Sequence, residues 1–145
     1  MKKYKLGYTS GVFDLFHIGH LNILKRAKKH CECLIVAVSP DKIVEEYKDK
    51  IPVIPLEERM KIVESIKYVD SVVVQASMDK YKAWEKLKFD VLFHGDDWKE
   101  SSMYNEIEKK LNNVGVDVVY FPITKSTTST ILRNALTIIS GNKND

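Results

Sequence analysis

Residues 11 to 20, Gly-Val-Phe-Asp-Leu-Phe-His-Ile-Gly-His, set two imidazoles, His17 and His20, three positions apart, with Gly19 between them and Gly11 at the head. A spacing of three brings two side chains to one side of a helix, and Gly19 keeps that side open. A helix start also presents unpaired backbone N–H groups and the positive end of the helix dipole, which makes it an anion site before any side chain is added. Imidazoles beside it can donate to phosphate oxygens and stabilise the charge that develops when a phosphoryl group is transferred. Gly11, lacking a side chain, lets the backbone turn tightly or lets a ligand approach it. Two other readings compete. As metal ligands, His-x-x-His lacks a third donor and the glutamate of the helical protease motif. As plain structure, the two are polar residues near a helix start. Phe13 is assigned to the core, and Asp14 to a turn or cap, with a second duty in orienting a ligand.

Something must hold that decapeptide at the end of a strand. Short runs of β-branched and aromatic residues recur at KLGYTS, CLIVAVS, SVVVQA, FDVLFHG and VDVVYFP, with helical-period segments between them. This alternation predicts an α/β fold, a single Rossmann-like domain over residues 1–145 with a five-stranded parallel sheet and helices on both faces. Helices are expected over about 18–30, 56–67, 79–88, 101–113 and 128–139. In the first, Ile18, Leu21, Leu24 and Ala27 or Lys28 fall at spacings that make one apolar face, with Lys25, Arg26 and Lys29 on the solvated side. PDKIVEEYKDKIPVIP reads as a long irregular segment, and GNKND as a fraying tail. In an open parallel sheet, ligands bind beyond the carboxyl ends of the strands, where strand order reverses. The decapeptide, SPDK, HGDDW and TKSTTST follow the first, second, fourth and fifth strands, so four stretches converge on one edge.

Composition narrows the function classes. The 145 residues suit one domain, 44% apolar and 30% charged, as in a globular protein. A formal charge of +3, from 23 basic and 20 acidic side chains, argues against a nucleic-acid partner and leaves room for a locally basic pocket for a small anion. No apolar run approaches a membrane span and the first residues lack a secretion signal, so a cytoplasmic protein without membrane insertion is expected. Cys31 and Cys33 read as reduced thiols near a strand start.

The pattern Gly11-x-Phe13-Asp14-x-x-His17-x-Gly19-His20 resembles the signature of the nucleotidyltransferases of the cytidylyltransferase superfamily. GDDW at 95–98, EER ending at Arg59, YVD at 68–70 and the C-terminal Ser/Thr cluster are similar to the glycerol-3-phosphate type. The resemblance implies a homodimer in which CTP and a small phosphorylated alcohol, glycerol 3-phosphate first, react with Mg²⁺ or another divalent cation to give a CDP-alcohol and pyrophosphate. It implies that His17 and His20 contact the nucleotide phosphates and stabilise the transition state, and that Gly11, Val12 and Phe13 line the triphosphate. No metal is expected to be held by the protein alone. Lys48 and Lys50 match a Lys-x-Lys pair on a loop, one residue displaced, with Lys50 directed to CTP and Lys48 to the acceptor phosphate. Arg59 matches an arginine near the site. Asp96 and Asp97 are assigned to cytosine or ribose recognition and to support of Mg²⁺, Trp98 to a wall of the pocket, and Lys80 or Lys82 to the acceptor phosphate.

Thr128, Ser129 and Thr130 keep the hydroxyls that cap the last helix and bind phosphate oxygens. The arginine of that motif is replaced by Ile123, with Lys125 or Arg133 as its substitute, although a lysine cannot reproduce a bidentate guanidinium. Three functions therefore compete: a cytidylyltransferase on a small phosphorylated alcohol, an adenylyltransferase on a sugar phosphate or FMN, and a nucleotide-binding regulatory module.

Overall fold

A computed structural model describes residues 2–48, 50–96, 99 and 101–143, with backbone alone at 47, 48 and 141–143. In chain order the elements are β1 (Tyr4–Gly11), α1 (Ile18–His30), β2 (Cys31–Val38), α2 (Asp41–Lys48), α3 (Leu56–Glu64), β3 (Ser71–Val74), α4 (Lys80–Leu87), β4 (Val91–Gly95), α5 (Ser102–Asn113), β5 (Asp117–Phe121) and α6 (Ser129–Lys143). The sheet runs β3-β2-β1-β4-β5 with every pair parallel. The chain moves outward from β1 to β2 and β3, then returns to β4 and β5. The order thus reverses between β1 and β4, where a crevice opens at the strands' carboxyl ends.

Alternation along the strands sends side chains to two cores. Val36, Val38, Val91 and Phe93 meet Leu24 and Ala27 of α1 and Val63 of α3 on one face. Tyr8, Ala37 and Leu92 meet Tyr104 and Leu111 of α5, with Trp84 of α4, on the other. The central strand permits this close packing only with glycine at position 7. A Cβ there would lie 2.6 Å from Phe93 Cε2 and 2.8 Å from Cys31 Sγ. Both cysteines are free thiols, Cys31 buried and Cys33 half-buried.

Three expectations need correction. The stretch after β2 is not irregular throughout: Asp41–Lys48 forms α2. Ile43 and Val44 are buried there, and the Pro40 carbonyl accepts from both of their N–H groups. Two buried apolar positions among charges are too few to show a helical period. The third helix ends at Glu64, where the Ser65 N–H turns back to the carbonyls of Lys61 and Ile62. At the C-terminus, α6 continues to Lys143. Among the described residues, no helix is long and apolar enough to cross a membrane.

Candidate active site

The two imidazoles begin α1 in a reciprocal arrangement. His17 is the N-cap residue, with extended backbone angles φ −144° and ψ −177°. Its Nδ1 accepts from the Gly19 N–H at 3.0 Å, and the His20 Nδ1 accepts from the His17 N–H at 3.2 Å. The rings stack with centroids 3.9 Å apart. A ring nitrogen that accepts carries no proton, so each neutral imidazole bears its proton on Nε2. Desolvation holds the His17 pKa below its ordinary 6.5, which favours that neutral form. Gly19 is the residue this geometry demands, because a Cβ there would lie 2.8 Å from His17 Cε1.

The turn that delivers the histidines is built around Asp14. Phe13 and Leu15 take left-handed conformations, φ 54° and 52°, and turn Asp14 inward between them. Asp14 is 1% exposed. Its carboxylate accepts from Val53 N at 2.8 Å, Ile54 N at 2.9 Å and Arg133 Nη2 at 2.8 Å. Burial alone would raise its pKa, but the two backbone N–H groups and the guanidinium outweigh burial and hold it below the ordinary 3.8. Its carbonyl accepts from Ser129 Oγ at 2.6 Å, which ties the start of α6 to the same turn. Asp14 therefore caps no helix. It fastens three chain segments together.

These segments enclose a cavity of about 340 Å³ at the β1/β4 switch point. Gly11, Val12, Phe13 and Asp14 form one side of its wall, and His17, Gly19 and His20 continue it along the start of α1. Lys50 and Lys80 reach it from the β2 and β3 side, and Thr128, Ser129 and Thr130 close it from α6. Thr128 caps α6, its Oγ1 accepting from Ile131 N at 3.1 Å. Lys80 is 2% exposed, with Nζ donating to Ser10 Oγ at 2.6 Å, and desolvation lowers its pKa to about 8. Of the two lysines offered by the sequence at that helix, Lys80 lines the wall, whereas Lys82 is exposed and lies off it.

Other expectations separate from the cavity. Arg59, 1% exposed, spends Nε on the Ile54 carbonyl, Nη1 on the carbonyls of Val12 and Ser39, and Nη2 on Asp41. It braces the Val12 turn from behind and does not line the wall. Asp96 is exposed and off the wall. The Lys48 side chain, Asp97 and Trp98 lie outside the described residues. Of the two substitutes for the arginine absent at Ile123, Lys125 is exposed and off the wall, whereas Arg133 lines it.

Ser10 and Gln75 line the cavity without having been singled out, as does Ser39, which the sequence marked only as part of SPDK. Each sits at or just beyond the carboxyl end of β1, β2 or β3, the position that the switch-point rule marks. Gln75 escaped because VVVQAS reads as unbroken strand. The described wall carries three cations, Lys50, Lys80 and Arg133, against one carboxylate, Asp14, already engaged. Such a wall takes anions. Among the described residues, no three His, Cys, Asp or Glu side chains converge to hold a metal ion.

The chain is 34% identical over 117 residues to an FAD synthase of Thermococcus sibiricus, covering 79% of this chain and 78% of that one. It is 42% identical over 95 residues to an ethanolamine-phosphate cytidylyltransferase of Dictyostelium discoideum, covering 64% of this chain and 26% of that longer protein. The crystal structure of a lipopolysaccharide core biosynthesis protein from Thermoplasma volcanium superposes with a TM-score of 0.73 at 27% identity, covering 84% of this chain and 99% of that one. The sequence profile described as cytidylyltransferase-like matches residues 8–140, from the middle of β1 into α6, and the chain belongs to that family.

Proposed function

We propose that this protein joins CTP to a small phosphorylated alcohol, glycerol 3-phosphate being the first acceptor to try, and releases pyrophosphate. The observation that carries the reading is the stacked pair of Nε2–H imidazoles at the start of α1, in one cavity wall with the buried Lys80 ammonium. An acceptor phosphate oxygen forms a bond to the α-phosphorus while the bond from that phosphorus to the bridging oxygen breaks, and the electron pair leaves with pyrophosphate. No covalent enzyme intermediate is needed. The protein's task is to hold two polyanions together and to neutralise the charge that builds on the α-phosphoryl oxygens. His17 and His20 would supply hydrogen bonds there, Lys50 and Arg133 would meet the nucleotide phosphates, and Lys80 the acceptor phosphate. A divalent cation would arrive on the triphosphate and screen it during transfer. Dimerisation belongs to this proposal as well.

A second reading, adenylyl transfer from ATP to FMN, is favoured by the relatives named FAD synthase, at 34% and 37% identity. The first reading rests on the small and polar groups of one side of the cavity. The described wall on the β2 and β3 side carries Ser39, Val44, Lys50, Gln75, Met78 and Lys80, while the aromatic rings of the cavity, Phe13 and Tyr104 among them, lie elsewhere on its wall. Each of the four nucleoside triphosphates, with Mg²⁺ and either glycerol 3-phosphate, phosphoethanolamine or FMN, tests the choice through pyrophosphate release. Release with CTP and a small alcohol phosphate supports the first reading, and release only with ATP and FMN replaces it. Nucleotide binding without release would make the protein a binding module.

A further inference from the structure

The floor of the cavity joins the ends of three adjacent strands through neutral groups. Ser10, Ser39 and Gln75 are 7%, 0% and 4% exposed, and all line the cavity. The Gln75 N–H bonds to the Val38 carbonyl at 2.9 Å and the Ser39 N–H to the Gly11 carbonyl at 2.8 Å, so the backbone fixes where both side chains begin. Ser39 Oγ donates to Gln75 Oε1 at 2.5 Å, which orients the amide with its nitrogen on the other side. That nitrogen donates to the Met78 thioether sulfur at 3.6 Å. A thioether is a weak acceptor, and the amide has two N–H groups, so the donor capacity of Gln75 is poorly used within the protein.

Resting on the proposed transfer to a phosphorylated alcohol, we propose that Gln75 is the residue that reads the acceptor's alcohol end, donating its amide N–H to a neutral hydroxyl and selecting against an ammonium group. The charges on the wall require the second half of this statement. An aminoalcohol phosphate would bring its cation into a cavity whose described wall holds Lys50, Lys80 and Arg133. The one carboxylate there, Asp14, is committed to Val53, Ile54 and Arg133. A hydroxyl oxygen accepts from the amide without any such conflict, and Lys80 sits in the same floor for the phosphate. An acceptor lacking a hydroxyl would leave the Gln75 N–H against sulfur alone.

The test is a switch of acceptor preference. The parent protein should use glycerol 3-phosphate with a kcat/KM at least about tenfold above that for phosphoethanolamine, the scale on which an unmatched polar group discriminates. Gln75→Glu retains the oxygen that accepts from Ser39 and replaces the donor with a carboxylate oxygen. It should lower the ratio of the two kcat/KM values at least about tenfold while the KM for the nucleoside triphosphate moves less than about threefold. Gln75→Asn, which withdraws the amide by one methylene, should reduce glycerol 3-phosphate use with no gain for phosphoethanolamine. Should Gln75→Glu fail to fold, the parent ratio and the asparagine variant still decide. A parent that uses both acceptors within threefold, or a folded Gln75→Glu that leaves the ratio within threefold, overturns the assignment of Gln75 and leaves the proposed transfer intact. Absence of pyrophosphate with any small alcohol phosphate overturns the transfer itself.

Discussion

His17 holds two duties that one pair of variants can separate. Its Nδ1 caps α1 through the Gly19 N–H, and the proton on its Nε2 is the group proposed to meet the α-phosphoryl oxygens. His17→Ala removes both. Losing an N-cap acceptor costs about 1 kcal/mol, which for a chain of this size lowers Tm by about 3 °C. Losing one preorganised transition-state donor costs about 2.7–4 kcal/mol, or 10² to 10³ in kcat. His17→Asn keeps an oxygen that can accept from Gly19 N and lacks the Nε2 donor, so its Tm should stay close to the parent while its kcat falls as far as that of the alanine variant. The assay is pyrophosphate release at saturating substrates beside a thermal melt of each protein. The neutral ring is also required for the cap, because protonation of Nδ1 destroys the acceptor. With its folded pKa held below 6.5, His17 contributes stability that is present above about pH 6.5 and is lost as the pH falls through its depressed value, and the rate should fall along with it. His17→Asn should abolish this acid limb in the stability profile. If His17→Asn turns over within threefold of the parent, the imidazole is a helix cap and nothing more, and the proposed chemistry fails.

Three further outcomes follow from neighbouring contacts. The buried Lys80 is cationic only below about pH 8, so the acceptor KM should rise as pH climbs past that value while the nucleotide KM stays flat, and Lys80→Met should remove the dependence. Asp14→Asn strips the countercharge from Arg133 and should cost about 3 kcal/mol in urea unfolding, the scale for breaking a buried pair; a loss under 1 kcal/mol would refute the fastening role given to this carboxylate. Gly19→Ala forces a methyl group to within 2.8 Å of His17 Cε1, so the ring must swing away from its cap, and it should lower kcat at least about tenfold while Tm falls by no more than the ~3 °C of the lost cap.

The order of elements was legible because each strand is a short β-branched or aromatic run between helices with an apolar face. That pattern is a direct record of burial on two sides of a sheet, as Val36 and Ala37 illustrate by entering opposite cores. The pattern failed where burial is slight. In α2 the buried side chains Ile43 and Val44 are sequence neighbours, and two adjacent positions carry no period.

The site divides along a different line. Residue type showed which groups could meet a phosphate, but not whether a charged group faces the cavity or the protein behind it. Arg59 and Arg133 illustrate the difference. Both are arginines on helices close to the decapeptide. Arg59 starts from α3, where the carbonyls of Val12, Ser39 and Ile54 surround it and absorb its donors. Arg133 lies one turn into α6, whose start is tied to Asp14 by Ser129, and its side chain therefore falls on the cavity side of the same turn. A guanidinium held there by a single carboxylate keeps donors for a ligand, whereas one held by three carbonyls and a carboxylate does not. The positive charge absent at Ile123 can thus be supplied from the helix that follows, since the cavity responds to where a cation stands and not to its place in the motif.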